Sequence, residues 1–207
     1  MIASSLFEIV SVLIIVNAFY IQGQSYIKPA ISGLGVESAT VGIMITAIGL
    51  LEFSYVLLLL GVLVIALRAF AVTYILNRSF KGKSELKKEP INVSSLLAVS
   101  LLTVIGAIII FQFFFIAYLK INAPLLLFAV VLFFQGLFLI ASRKNTYIQV
   151  IGYVEEENAI MLFGIFIIGL PLLIEASVLL DVLALILIVA IVIREKDEHM
   201  AIDELKG

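Results

Sequence analysis

Glu155, Glu156 and Glu157 stand side by side within an apolar stretch that runs from about Tyr147 to Ile193. Carboxyl groups can bind, release and pass protons, or hold cations, and an apolar setting makes each of those states costly. A charged residue at the centre of a membrane helix costs about 2.5–3.5 kcal/mol on insertion scales. Three together call for a partner, a proton or a water-filled cavity, and the chemistry they point to is ion or proton handling. Successive helical residues turn by about 100°, which sets Glu155 and Glu157 about 200° apart with Glu156 between them. The three cannot share one face, so at least one is expected to look toward another subunit or a hydrated gap. Like charges so close together, out of water, are expected to leave at least one carboxyl protonated, with titration shared among them.

Other polar groups fall at membrane depth. Arg68 follows the apolar run Val56-Leu57-Leu58-Leu59-Leu60 and precedes Arg78 by ten residues, roughly 15 Å along a helix. That is too far for easy snorkelling to the basic end. Two compatible roles follow: an ion pair with a glutamate of the triplet, and an electrostatic element of a proton path. Glu175 and Asp181 lie six residues apart in a later apolar segment, offset by about 120° on a helix. Glu52 falls between two apolar segments, at depth or at an interface. Gln112, Gln149 and Asn158 are uncharged polar sites, the glutamines being suited to interhelical hydrogen bonds or to holding water. Glu8 and Lys28 are near helix ends and can reach the interface.

The elements that must position these groups follow from composition. The chain has 207 residues, 63% hydrophobic and 14% charged, against about 25% charged in an ordinary soluble domain. This is an all-α integral membrane protein with almost no room for a soluble domain. The absence of cysteine excludes disulfides, thiolate metal sites, Cys-bound iron–sulfur clusters and thiol catalysis. The lone histidine, His199, has no histidine or cysteine companion nearby and makes a poor metal ligand. The net charge of −2 and the lack of a basic patch with interleaved aromatics give no sign of nucleic-acid binding.

At about 20 apolar residues per span, the chain divides into about seven helices: 4–22, 27–49, 52–77, 93–119, 124–142, 146–168 and 171–193. Fusing 27–77 into one span would give six. The first apolar run lacks a positive leader and a clear cleavage site, and reads as a retained helix. Gly169-Leu170-Pro171 is the hairpin signal before the last helix. The chain then organises as an N-terminal three-helix segment with a basic loop (1–92), a linking helix (93–123), a three-helix unit (124–193) and a charged tail (194–207). The basic loop from Arg78 to Lys88, the Arg143-Lys144 pair and the tail all fall on one side with seven spans. The positive-inside rule places that side in the cytoplasm and the N-terminus outside.

From the fifth helix onward the motifs are distinctive. Arg143-Lys144-Asn145, then Ile151-Gly152 and Asn158-Ala159, resemble the start of the second helix in the K-type membrane subunit of complex I. Ile174-Glu175-Ala176 looks like that subunit's third helix. The whole chain is similar to component E of membrane-bound group 4 nickel–iron hydrogenases, which carries extra N-terminal helices before a K-like unit. Gly152-Tyr153, Glu157-Asn158, the Pro171–Glu175 segment and Leu179–Val182 carry that likeness, and Arg68 stands where relatives are expected to have lysine. The K-type glutamate of the second helix falls on Val154, with Glu157 three residues later on nearly the same face. Glu155 and Glu156 are additions to both patterns.

The resemblance implies a non-catalytic membrane subunit of a redox-driven, proton- or sodium-translocating complex, and no enzyme on its own. Glu157 would pass protons toward Glu175 or Asp181, with Glu155, Glu156 and Arg68 contributing to the path. No cofactor is expected on this chain; nickel–iron and iron–sulfur centres would belong to partner subunits. Expected partners are antiporter-like membrane subunits, an H-type subunit at a quinone site and peripheral redox subunits, together with the lipid bilayer of a cell membrane. The alternatives are a small subunit of a cation/proton antiporter assembly and a scaffold that only bridges membrane subunits.

Overall fold

The computed structural model describes residues 2–79, 93–118, 124–167 and 186. Every regular element among the described residues is a helix. We number them α1 (Ile2–Gln22), α2 (Ile27–Leu51), α3 (Tyr55–Ser79), α4 (93–118), α5 (Pro124–Ser142) and α6 (Thr146–Ile167). The expected seventh helix, with Glu175 and Asp181, lies outside the described residues, as do the basic loop and the C-terminal tail.

Helices α1 to α5 are long and apolar enough to cross a bilayer, whereas α6 has 22 residues and a comparable length but is interrupted by its glutamates. Large apolar side chains cover the outside: Leu6, Ile9 and Leu13 on α1, and Leu101, Leu102 and Ile105 on α4, are all more than half exposed. Such a surface is an aggregation liability in water and the solvated face in lipid. The chain is an all-α membrane protein.

The second and third helices are separate, so the fused 27–77 span does not hold. Residues 52–54 turn the chain back on itself, with Phe53 in the left-handed region at φ 52°. Ser54 Oγ then accepts from the Leu57 amide at 3.4 Å, capping the start of α3. The two helices run antiparallel at very close range. A Cβ added at Gly42 would lie 2.9 Å from the Gly61 carbonyl oxygen, so only small residues fit at this crossing. A second glycine contact joins α5 to α6, where a Cβ at Gly152 would meet the Gly136 carbonyl oxygen at 2.9 Å.

Neither α3 nor α4 is a regular α-helix throughout. Ile65–Val72 and Phe111–Tyr118 form π-helical segments. Local hydropathy does not announce either of them. The core between α1, α2, α3, α5 and α6 is filled by aliphatic side chains such as Ile14, Ile45, Leu60, Leu132 and Leu162. The acidic cluster is set between this layer and a second one around Ile31, Leu34, Ile151 and Val154.

Candidate functional site

Three helices bring their mid-points together around a buried polar cluster. Glu37 is the eleventh residue of the 25 in α2, and Arg68 lies within the π segment of α3. Glu155, Glu157 and Asn158 come from the middle of α6. All five are almost wholly buried, at 0–1% exposure. The antiparallel register, with Gly42 against Gly61 and Gly35 against Ala69 and Thr73, puts Glu37 and Arg68 at the same level.

Arg68 and Asn158 organise the contacts. Arg68 Nε lies 3.6 Å from Glu157 Oε2, and its Nη1 donates to Asn158 Oδ1 at 3.3 Å. Asn158 Nδ2 donates to Glu37 Oε1 and to Ser38 Oγ, each at 3.0 Å. Because guanidinium can only donate, Asn158 Oδ1 must face Arg68, which fixes the amide's orientation without ambiguity. One asparagine therefore joins the ion pair to a carboxyl on a different helix. Tyr153, four residues before Glu157, lies on the same side of α6.

The glutamates divide by position, as helix geometry requires. Glu157 meets Arg68. Glu155 points to the α2 side, where Glu37 is its electrostatic neighbour. Glu156 is half-buried and packs toward α5, its Cγ 2.7 Å from where a Cβ on Gly136 would be. Of the three, only Glu156 is partly exposed. Glu155 and Glu157 diverge and are both enclosed, because α6 is flanked by α2 and α3 on one side and by α5 on another.

Several other expected positions lie elsewhere. Glu52 is exposed in the turn between α2 and α3, since the chain reverses just where the residue falls. Gln112 is exposed on α4. Gln149 Nε2 donates to the Arg143 carbonyl at 2.8 Å, a local bond at the start of α6 and not part of the acidic cluster.

Two features were not anticipated. Glu37 reads as an acid near the start of its helix, but α2 starts at Ile27, roughly 15 Å earlier along the axis at 1.5 Å per residue. Counting from the helix start is the signal that would have found it. The second is a polar group at one end of the bundle. Arg143 is only 4% exposed, and its Nη2 donates to the Gln22 carbonyl at 2.7 Å, closing the C-terminus of α1. Ser100 Oγ donates to Gln135 Oε1 at 2.8 Å, and Gln22 Nε2 bonds the same oxygen. This group ties α1, α4, α5 and the α5–α6 turn together.

Charge bookkeeping states what the central cluster can do. Glu37, Glu155 and Glu157 oppose a single cation, Arg68, among the described residues. With all four ionised, two negative charges would stand uncompensated in a low-dielectric interior, which is prohibitive. Protons or bound cations must make up the difference. A charge-loaded cluster of this kind in the middle of a membrane helix bundle marks the candidate functional site of the described residues. No family model matches the chain, and no curated protein or solved structure matches it significantly.

Proposed function

We propose that this chain is a non-catalytic membrane subunit that holds part of a proton or sodium path within a redox-driven translocating complex similar to complex I and membrane-bound hydrogenases. The observation that carries the reading is the excess of buried carboxyl groups over cations at mid-depth, on three helices, with Glu157 held against Arg68. A carboxylate held against a cation on a separate helix can change charge state when that cation shifts. Glu157 is the relay member, Arg68 sets its charge state, and Asn158 conveys that state to Glu37. Redox centres, including any nickel–iron or iron–sulfur groups, belong to partner subunits, among them antiporter-like and H-type membrane subunits. The cell membrane, with the N-terminus outside and the C-terminus in the cytoplasm, is the setting.

The test is to purify the chain from its native membranes, identify the co-purifying subunits, and compare wild type with Glu157→Gln. Coupled ion translocation is expected to fall at least tenfold in Glu157→Gln while assembly and electron transfer persist. Redox subunits among the partners support this reading, whereas antiporter subunits alone support the cation/proton antiporter assembly. The 3.6 Å ion pair favours a second reading, in which the acids only bridge helices of a scaffold. Unchanged pumping in assembled Glu157→Gln complex establishes the scaffold instead.

A further inference from the structure

The ion pair accounts for Glu157 but not for the acids facing α2. Glu37 and Glu155 are both at 0% exposure and are electrostatic neighbours across the α2–α6 contact. Glu37 Oε1 is satisfied by Asn158. Its other oxygen, Oε2, and both oxygens of Glu155 have no hydrogen-bond partner among the described residues. Among the described residues, three buried carboxyl oxygens without a hydrogen-bond partner thus fall in the interval where α2 meets α6. Glu155 lies three residues before Asn158 on α6, so the two share a face and Asn158 closes one side of that interval.

We propose that Glu37 and Glu155 form a proton-holding carboxyl pair, a second half of the site that Asn158 connects to Arg68 and Glu157. Two protons on this pair remove the two uncompensated negative charges, leaving Glu157 and Arg68 as a neutral ion pair. A carboxylic acid also meets the local geometry, because its carbonyl oxygen still accepts from Asn158 while the hydroxyl supplies the donor that the interval lacks. The described residues contain no group of three or more acidic or histidine side chains arranged to hold a metal ion, which favours protons over a multivalent cation. Among the described residues, the charged and titratable groups near the pair are Arg68 on α3 and Tyr153, Glu156 and Glu157 on α6, and of these Arg68 alone can offset a negative charge on the pair. If Arg68 leaves Glu157 when that residue takes up a proton, the guanidinium is already bonded to Asn158 and its field then favours release of a proton from Glu37. In that step the Glu37 O–H bond breaks, the proton passes to water, and Glu37 keeps the electron pair.

This proposal deepens the proton-path reading, but its test needs no redox partner. The full-length chain in lipid vesicles is labelled with carboxyl-13C glutamate, and protonated side chains are counted by solid-state NMR and by their infrared C=O stretch in H2O and D2O at neutral pH. Wild type is expected to show protonated signals of which one is lost in Glu37→Gln and one in Glu155→Gln, while Glu157→Gln, which frees Arg68 as protonation of Glu157 does, weakens the Glu37 signal and retains that of Glu155. The wild-type count needs no substitution and so stands even if a variant fails to fold. Absence of protonated glutamate in wild type, or its persistence in Glu37→Gln/Glu155→Gln, overturns the proposal. A signal that appears only when sodium is replaced by choline also overturns it and identifies a sodium site. Loss of pumping in Glu157→Gln complex is a separate result, so the two readings fail independently.

Discussion

Removing Arg68 should be the most damaging single change in the described part of the chain. In Arg68→Met, a side chain of similar length keeps the aliphatic contacts of the π segment, but the only cation of the cluster is gone. At 3.6 Å and an effective dielectric of ~20, the Coulomb attraction between Arg68 and Glu157 is about 4–5 kcal/mol. Loss of the bond from Arg68 Nη1 to Asn158 also leaves a buried amide oxygen without its donor, at a cost of about 1–3 kcal/mol. These terms overlap. Proton uptake by Glu157 limits the first, so the net destabilisation expected is about 3–5 kcal/mol, the range for breaking a buried pair. Equilibrium unfolding of the full chain in mixed micelles measures it. Arg68→Met/Glu157→Leu removes both charges and should recover at least ~2 kcal/mol of that loss, short of full recovery because Asn158 remains under-bonded. A single-variant effect below ~1 kcal/mol, or a double variant no better than the single, would refute the claim that these residues form a buried pair whose separation is costly.

Three further outcomes follow from the packing. Gly136→Val places a branched side chain 2.7 Å from the Gly152 carbonyl oxygen; it should destabilise the α5–α6 hairpin by about 2–3 kcal/mol, seen as a lower unfolding midpoint in the same micelles. Arg143→Met deletes a charged hydrogen bond to the end of α1 and should cost about 1.5–3 kcal/mol, with faster amide exchange over the last turn of α1 in hydrogen-exchange mass spectrometry. Glu52→Gln and Gln112→Leu alter exposed positions; each should stay within about 0.5 kcal/mol of wild type and leave ion coupling in the assembled complex unchanged.

Much of the fold was legible because bilayer thickness sets helix length, and hydropathy therefore counts the helices. The α5 and α6 boundaries agree with expectation within a residue for that reason. Within the site, Arg68 could be placed opposite the glutamate triplet because an isolated cation ten residues from a helix end has few partners. What hydropathy could not supply was azimuth. Glu37 is not among the expected site residues, but the glycines of α2 and α3 draw the two helices together and bring its carboxyl level with Arg68. Arg143 read as part of a cytoplasmic basic pair; its neighbour Lys144 is exposed as that reading expects, but the end of α1 offers an unsatisfied carbonyl within its reach. Gln112 shows the same gap: hydropathy marks it as a polar residue in an apolar run but does not say that it is on the exposed side of α4.

The π segment of α3 explains how Arg68 reaches the site at all. The buried residues of this helix are Leu57, Leu60, Gly61, Val64, Arg68, Ala69, Val72 and Leu76, and the larger side chains from Leu60 onward form a stripe, Leu60, Val64, Arg68, Val72 and Leu76, spaced by four residues. On an α-helix each step of four overshoots a full turn by about 40°, so four steps would carry the stripe about 160° around and leave one end facing lipid. The wider turn of a π-helix, with its i→i+5 bonds, takes up part of that drift over Ile65–Val72 and keeps Arg68 and Val72 on the inner face. The spacing was in the sequence, but only a break from α geometry gives it a meaning. Arg68 thus stands where the backbone departs from its regular form, in a segment whose hydrogen bonds can shift register at less cost than those of a continuous α-helix. A cation mounted there is well placed to alternate between the Glu157 side of the cluster and the Glu37 side, and Asn158, bonded to both Arg68 and Glu37, is the contact through which such a movement is felt.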